Sequence, residues 1–568
     1  MIRELRAAAL LLAAAGGGGP AMLRAQVAPV DTTASEASDV VREIIRQRIE
    51  DGREADAMRV AGDTLWLPPV AARFYEARGF EPAWSRDDTV SAIADSLLAT
   101  LRRAGEDGLR PADYHVARAQ ELLEALRRST TPEPSELADL DLLLTDGYAA
   151  FTSHLVAGRL DPVTLGPRTA ESPEGLDLAR RLERAVGSGG VRRSITALID
   201  GSEPGYRRLR TALARYRSLA ARGGWPRLPP SGEGQVLGRG SRDPAVAVLR
   251  HLLEETGDYA PPADEDVDAA ERGALIFDAG LEVAVRRFQA RHGLPETGAV
   301  GPRTRAALQI PPALRARQIE LNLERWRWLP EALGRRFVLV NIAGFTVDVV
   351  DDDRTVLSMP AIVGTAYRQT PVFSDTITYV VFNPSWRVPR DIAREEIVPA
   401  VREDPGYLAR EGLRLIGPDG HDIDPTTIDW NALPARLPWR FEQEPGPRNA
   451  LGPVKLMFPN PYDVYLHGTP QPELFKQAVR AFSHGCIRLE RPLELARYVL
   501  EGDAEWTDDR IAEVLREGRE VTAPLRYPMP VYVEYWTAWG EPDGTVQFRD
   551  DIYERDRVLD RALPPAEK

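Results

Sequence analysis

From Leu67 to about Ile199 apolar residues recur at intervals of three and four, as in VSAIADSLLATLRRA (Val90 to Ala104) and LADLDLLLTDGYAAFTSHLVAG (Leu137 to Gly158). This spacing predicts amphipathic helices and a helical domain over residues 61–222. The Gly/Pro-rich stretch GGWPRLPPSGEGQVLGRG (Gly223 to Gly240) breaks the pattern and marks a boundary. Beyond it, Val246, Leu249, Leu252 and Leu253 form one helix face, and Leu281, Val285 and Phe288 form another. With a short third helix they predict a three-helix module over 241–310. A connecting helix follows over 311–335, with Ile319, Leu323 and Trp326 on one face.

At Arg336 the period changes. The runs FVLVNI, FTVDVV, TVLSMPAIVG and ITYVVFNP are separated by Gly, Asp and Pro turns and predict strands. A helical and then irregular stretch, residues 391–451, is too long for an ordinary connection and reads as an inserted helical subdomain. Strands resume at VKLMFP and DVYLHG, giving a β-rich domain over 336–503. The remainder, 504–568, contains the strand-like VYVEYWTAW and reads as an extension packed on that domain. The fold class is therefore multidomain α+β.

The N-terminus changes the picture of location. Arg3 and Arg6 precede the apolar run AAALLLAAA, and a small-residue cleavage site falls near Ala25, so residues 1–25 read as an export signal, and residues 26–60 as a linker running into a polar helix. Nine apolar residues are too few to span a bilayer, which predicts no stable membrane span after cleavage and a place beyond the inner membrane. The formal charge of −14 argues against sequence-independent nucleic-acid binding.

One cysteine in 568 residues excludes an internal disulfide framework. That residue, Cys486, lies in DVYLHGTPQPELFKQAVRAFSHGCIRLE, residues 463–490, with His467, His484 and Arg488. A thiol needs a base or positive charge beside it to act as a nucleophile near neutral pH. His467 ends a predicted strand, while Cys486 follows Ser483, His484 and Gly485 in a tight turn. A strand and a returning turn bring such residues together, which favours His467 as base and His484 as support. Gly485 permits an unusual backbone conformation whose N–H groups would face a developing oxyanion. One thiolate and two imidazoles without paired ligand spacing do not make a zinc signature, and no cofactor motif appears. His115, His154, His251 and His292 lack ligand-spaced partners.

Ser-His-Gly-Cys some 15–20 residues after a His resembles the signature of the L,D-transpeptidase (YkuD) catalytic domain. The resemblance extends through VGTAYRQTPVFSDTI, FNPSWRVP, EDPGYLAREGL and QEPGPRNALGPVKLMFPN. AVRRFQARHGLPETGAVGPRTRAAL resembles the peptidoglycan-binding type 1 family, and the whole arrangement resembles the large YcbB-type branch, with 61–222 as its scaffold domain and 391–451 as its lid. The resemblance implies an enzyme, an acyltransferase of the cell wall. Cys486 would attack a peptide carbonyl of a tetrapeptide stem, His467 would take the thiol proton, and a carbonyl near Gly468 would orient the imidazole. Tyr465 would line the donor site, and Arg488 would hold the site together or bind a carboxylate. The implied partners are peptidoglycan donor and acceptor stems and carbapenem-type inhibitors; the implied place is the periplasm, at the wall.

Overall fold

The computed structural model describes residues 32–54, 57–86, 89–162, 177–230, 232, 235–260, 274–330 and 332–563. The expected export signal lies outside them.

Nine strands form one sheet: β1 (Arg336–Asn341), β2 (Thr346–Asp351), β3 (Arg354–Gly364), β4 (Phe373–Phe382), β5 (Val454–Met457), β6 (Leu466–His467), β7 (Ala481–Ser483), β8 (Ile487–Leu489) and β9 (Val521–Glu534). Their order is β7-β3-β8-β6-β5-β4-β9-β1-β2, and β2 also pairs with β3, so eight of the strands close on themselves. Closure removes the exposed edges that β2 and β3 would otherwise present. Alternation sets the inner face. Val338 and Val340 of β1, Val347 and Val349 of β2, and Leu466 and Ile487 of β6 and β8 are fully buried in one core with Val531 and Val533 of β9.

Strand β9, from the stretch read as an extension packed on the β-rich domain, is a wall of the barrel. It pairs with β1 in parallel and with β4 antiparallel. The segment after it folds back, placing Tyr553 in the same core.

Residues between β4 and β5 form a subdomain of mixed character. It holds short helices such as Val398–Glu403 and Tyr407–Glu411, but also a three-stranded sheet in which Leu413–Ile416 pairs with Arg440–Gln443, and the latter with Trp386–Arg387. The helical and then irregular pattern expected here holds helices in its first part, and its irregular part contains the small sheet. Strands of two to four residues that find partners 24 or more positions away leave no periodic trace in sequence.

The N-terminal part is helical. Helix α1 (Thr32–Glu54) lies in the stretch read as a linker running into a polar helix. It buries Val41, Ile45 and Ile49 at four-residue spacing against a core that includes Leu140 and Leu144 of α2 (Pro134–Ala157). Helices α3 (Pro204–Ala221) and α4 (Pro312–Trp326) join the parts of the molecule: Tyr206, Leu209 and Leu213 of α3 and Ile319 and Leu323 of α4 share a core with Val546 and Phe548 from beyond β9. The three helices Pro244–Thr256, Ala279–Arg291 and Pro302–Leu308 enclose their own core of Val246, Leu249, Leu253, Leu281, Val285 and Phe288. No helix of the described residues is long and apolar enough to cross a membrane.

Candidate active site

Strands β6 and β8 lie side by side in parallel, with Leu466 opposite Ile487 and His467 opposite Arg488. The Ile487 amide donates to the Tyr465 carbonyl at 3.1 Å, extending the pairing toward Cys486. Successive residues of a strand point to opposite faces. With Leu466 and Ile487 in the core, Tyr465, His467, Cys486 and Arg488 fall on the other face. Residues about 20 positions apart are thus gathered by one pair of short strands.

Cys486 carries a free, half-buried thiol that faces the Asp463 carbonyl at 3.7 Å. Burial pushes its pKa up, and the Tyr465 amide and hydroxyl, together with the Arg488 guanidinium, act against that rise. The Tyr465 hydroxyl is itself held well above the usual tyrosine range, by burial first and by the neighbouring sulfur second. Its ring lies 5.5 Å from that of His467.

His467 is 5% exposed. Desolvation, then the charges of Arg488 and Lys455, bring its pKa down to about 3, while the Gly468 and Leu451 carbonyls near the ring resist the fall. Those carbonyls act by proximity: Nδ1 is buried without a hydrogen bond. The Cys486 sulfur donates to Asp463, and among the described residues no hydrogen bond joins His467 to Cys486. The Arg488 guanidinium reaches Gln471 at 3.3 Å, and its Nε is buried unpartnered.

The turn before the cysteine is tightly held. Gly485 has φ +115°, a conformation that side chains rarely adopt. The Ser483 hydroxyl donates to the Cys486 carbonyl at 2.5 Å and accepts the Gly485 amide at 3.2 Å. From across the site, Thr370 donates to the Gly485 carbonyl at 2.9 Å and accepts the Gly364 amide at 2.9 Å. Thr370 is a residue that sequence reasoning missed, although it lies within the VGTAYRQTPVF stretch. The Tyr553 hydroxyl donates to the Gly364 carbonyl at 2.5 Å, and Arg555 to the Thr370 carbonyl at 3.1 Å, so residues beyond β9 brace the same turn. Gly364 has no alternative: a Cβ there would lie 2.0 Å from the Arg368 carbonyl oxygen.

His484 points away from the thiol. Its Nε2 meets the Glu396 carboxyl of the inserted subdomain, which also accepts from Arg368 at 2.8 Å. Arg368 pairs in addition with Glu395. Burial tends to raise the Glu396 pKa, yet the His484 and Arg368 hydrogen bonds prevail and hold it below the usual carboxylate range. This cluster latches the inserted subdomain to the turn before Cys486.

Residues 335–515 match the family model of the L,D-transpeptidase catalytic domain (YkuD), residues 242–308 that of a "Putative peptidoglycan binding domain", and residues 70–213 that of a scaffold domain. A curated "Putative L,D-transpeptidase" of Haemophilus influenzae is 34% identical over 245 residues, which are 43% of this chain and 49% of the relative. The chain thus spans about half the length of the curated relative it matches. Among solved structures, an L,D-transpeptidase from Xylanimonas cellulosilytica is 16% identical, covering 54% of this chain and 100% of its own, with a TM-score of 0.17. One from Stackebrandtia nassauensis is 15% identical, covering 54% and 96%, with a TM-score of 0.21. The chain carries a YkuD-family L,D-transpeptidase catalytic domain together with a type 1 peptidoglycan-binding domain.

Proposed function

We propose that the chain is an L,D-transpeptidase that cross-links peptidoglycan through a thioester on Cys486. The observation that carries this reading is the common face of β6 and β8, on which the one thiol of the chain sits with Tyr465, His467 and Arg488. His467 is neutral and takes the thiol proton as the sulfur attacks a carbonyl of the donor stem. Tyr465 and Arg488 offset the developing thiolate charge, and the carbonyls of Gly468 and Leu451 orient the imidazole. The Cys486 amide N–H, in the turn that Ser483 sets by accepting the Gly485 amide, faces the tetrahedral oxyanion. The terminal amino acid leaves with the proton from His467, and an amine of a neighbouring stem then attacks the thioester and restores the thiol. His484 serves the latch rather than the proton transfer. The protein acts on the wall after export, with residues 1–25 as its signal, and residues 241–310 hold it to the polymer.

The test incubates purified protein with disaccharide-tetrapeptide and reads the products by mass. A cross-linked dimer and a Cys486 acyl adduct, both absent from Cys486→Ala and His467→Ala, are expected. A carbapenem should label the peptide containing Cys486 stoichiometrically. Hydrolysed monomer alone would replace the transpeptidase reading with a carboxypeptidase one, and unmodified Cys486 in folded protein would overturn the nucleophile assignment.

A further inference from the structure

The inserted subdomain encloses a cavity of about 530 Å³. Four guanidinium side chains line it, those of Arg390, Arg394, Arg436 and Arg440, against one acid, Asp391. In a chain of net charge −14 this is a local reversal of sign rather than the character of the surface. Arg440 pairs with Glu442 at 3.1 Å, and Arg394 donates to the carbonyls of Pro434 and Ala435. Arg390 and Arg436 form no ion pair or hydrogen bond among the described residues, so two guanidiniums stand free at the rim.

The interior adds two further features. Val388 and Phe441 are buried and give it an apolar floor. Trp439 also lines it, and its indole N–H is buried without an acceptor. That nitrogen is closed off from the cavity, so Trp439 offers a ligand its ring and not its N–H. The volume is that of an ordinary small-ligand site.

We propose that this cavity binds a carboxylate-bearing peptide. Guanidinium groups take carboxylates with paired, directed hydrogen bonds. The apolar floor and the Trp439 ring suit aliphatic side chains. The choice of an uncross-linked wall stem as that peptide rests on the transpeptidase reading. Arg394 and Glu396 stand two residues apart in one helical turn and so face opposite ways. Glu396 meets His484 beside the nucleophile, so the cavity looks away from the thiol. A stem held there is tethered to the lid and is not the one being acylated.

The experiment measures affinity by calorimetry on the full chain carrying Cys486→Ala, with disaccharide-tetrapeptide as the probe, then the same compound with its carboxylates amidated, then inorganic phosphate as competitor. Arg390→Ala with Arg436→Ala should weaken peptide binding about tenfold, and amidation should do the same to the unsubstituted lid. Hydrogen exchange should show peptide-dependent protection over residues 435–441 that the double variant loses. Both arginines are exposed, so the variant is expected to fold, and Arg440→Ala, also at an exposed lining residue, provides a second, milder test with a loss of about threefold. Affinity unchanged by both variants overturns the proposal, as does displacement of the peptide by phosphate at equal concentration, which would make the cavity a general anion site. Carbapenem acylation of Cys486 in a chain bearing only the two arginine substitutions should match the parent. Failure of the parent to acylate would count against the transpeptidase reading; normal acylation with unaltered peptide affinity would sink the cavity alone.

Discussion

The two central residues are both uncharged near neutral pH, because burial raises the Cys486 thiol and brings the His467 imidazole down to about 3. Acylation then draws on His467 as a base already in its working form. Carbapenem acylation should stay flat from about pH 5 to pH 7, whereas an imidazole of ordinary pKa would give a rise centred near 6.5. Rates from intact-protein mass at each pH check this, and a midpoint near 6.5 would refute it. Tyr465→Phe removes the hydroxyl beside the sulfur and should slow acylation about tenfold at pH 7 with the fold retained. His467, Tyr465 and Cys486 are legible in the sequence because a lone thiol draws attention to the histidines and aromatics around it. Thr370 is not, since threonine is common and its partner Gly485 lies 115 positions away.

At the scale of elements, the nucleophile turn depends on the β3–β4 connection and on the segment after β9. Thr370→Val strips the donor from the Gly485 carbonyl and leaves the Gly364 amide unpaired. It should cost on the order of 1–3 kcal/mol in stability and slow acylation further, measured by denaturant unfolding alongside mass kinetics. The latch makes a different prediction. Its pairs are mostly exposed, so Glu396→Gln should change stability by less than about 1 kcal/mol. If the latch keeps the lid over the thioester, the variant should release a larger share of hydrolysed relative to cross-linked product. An unchanged product ratio would remove the latch from control of water. The long strands and helices are readable because their periods persist over many residues. The lid sheet is not, and for α1 the mix of Ala, Asp, Glu and Arg points to a polar helix without marking its three buried apolar positions.

Across the whole molecule, the contacts among α3, α4 and the residues after β9 place a titratable group where none was apparent in sequence. Glu534 of β9 is buried, and desolvation raises its pKa to about 8 in spite of Arg325 and Arg555. The folded state therefore holds this proton more tightly than the unfolded chain does. The associated stability is fully present below the unfolded value of about 4.3 and is lost as pH rises through about 8. Thermal unfolding should show a midpoint falling between pH 5 and pH 8.5, and Glu534→Gln should flatten that fall. Equal slopes for parent and variant would mean that another group controls it.

The position of β9 bears on the order in which the molecule is made. Synthesis runs from the N-terminus, so His467 and Cys486 leave the ribosome before Val521–Glu534. Until that strand arrives, β1 and β4 have no partner between them, and the sheet has two open edges. A chain stopped after Leu500 would hold the complete catalytic motif and still lack a closed barrel and the Tyr553 brace on its turn. Such a truncated chain is expected to leave Cys486 unlabelled by a carbapenem, which intact-protein mass would check.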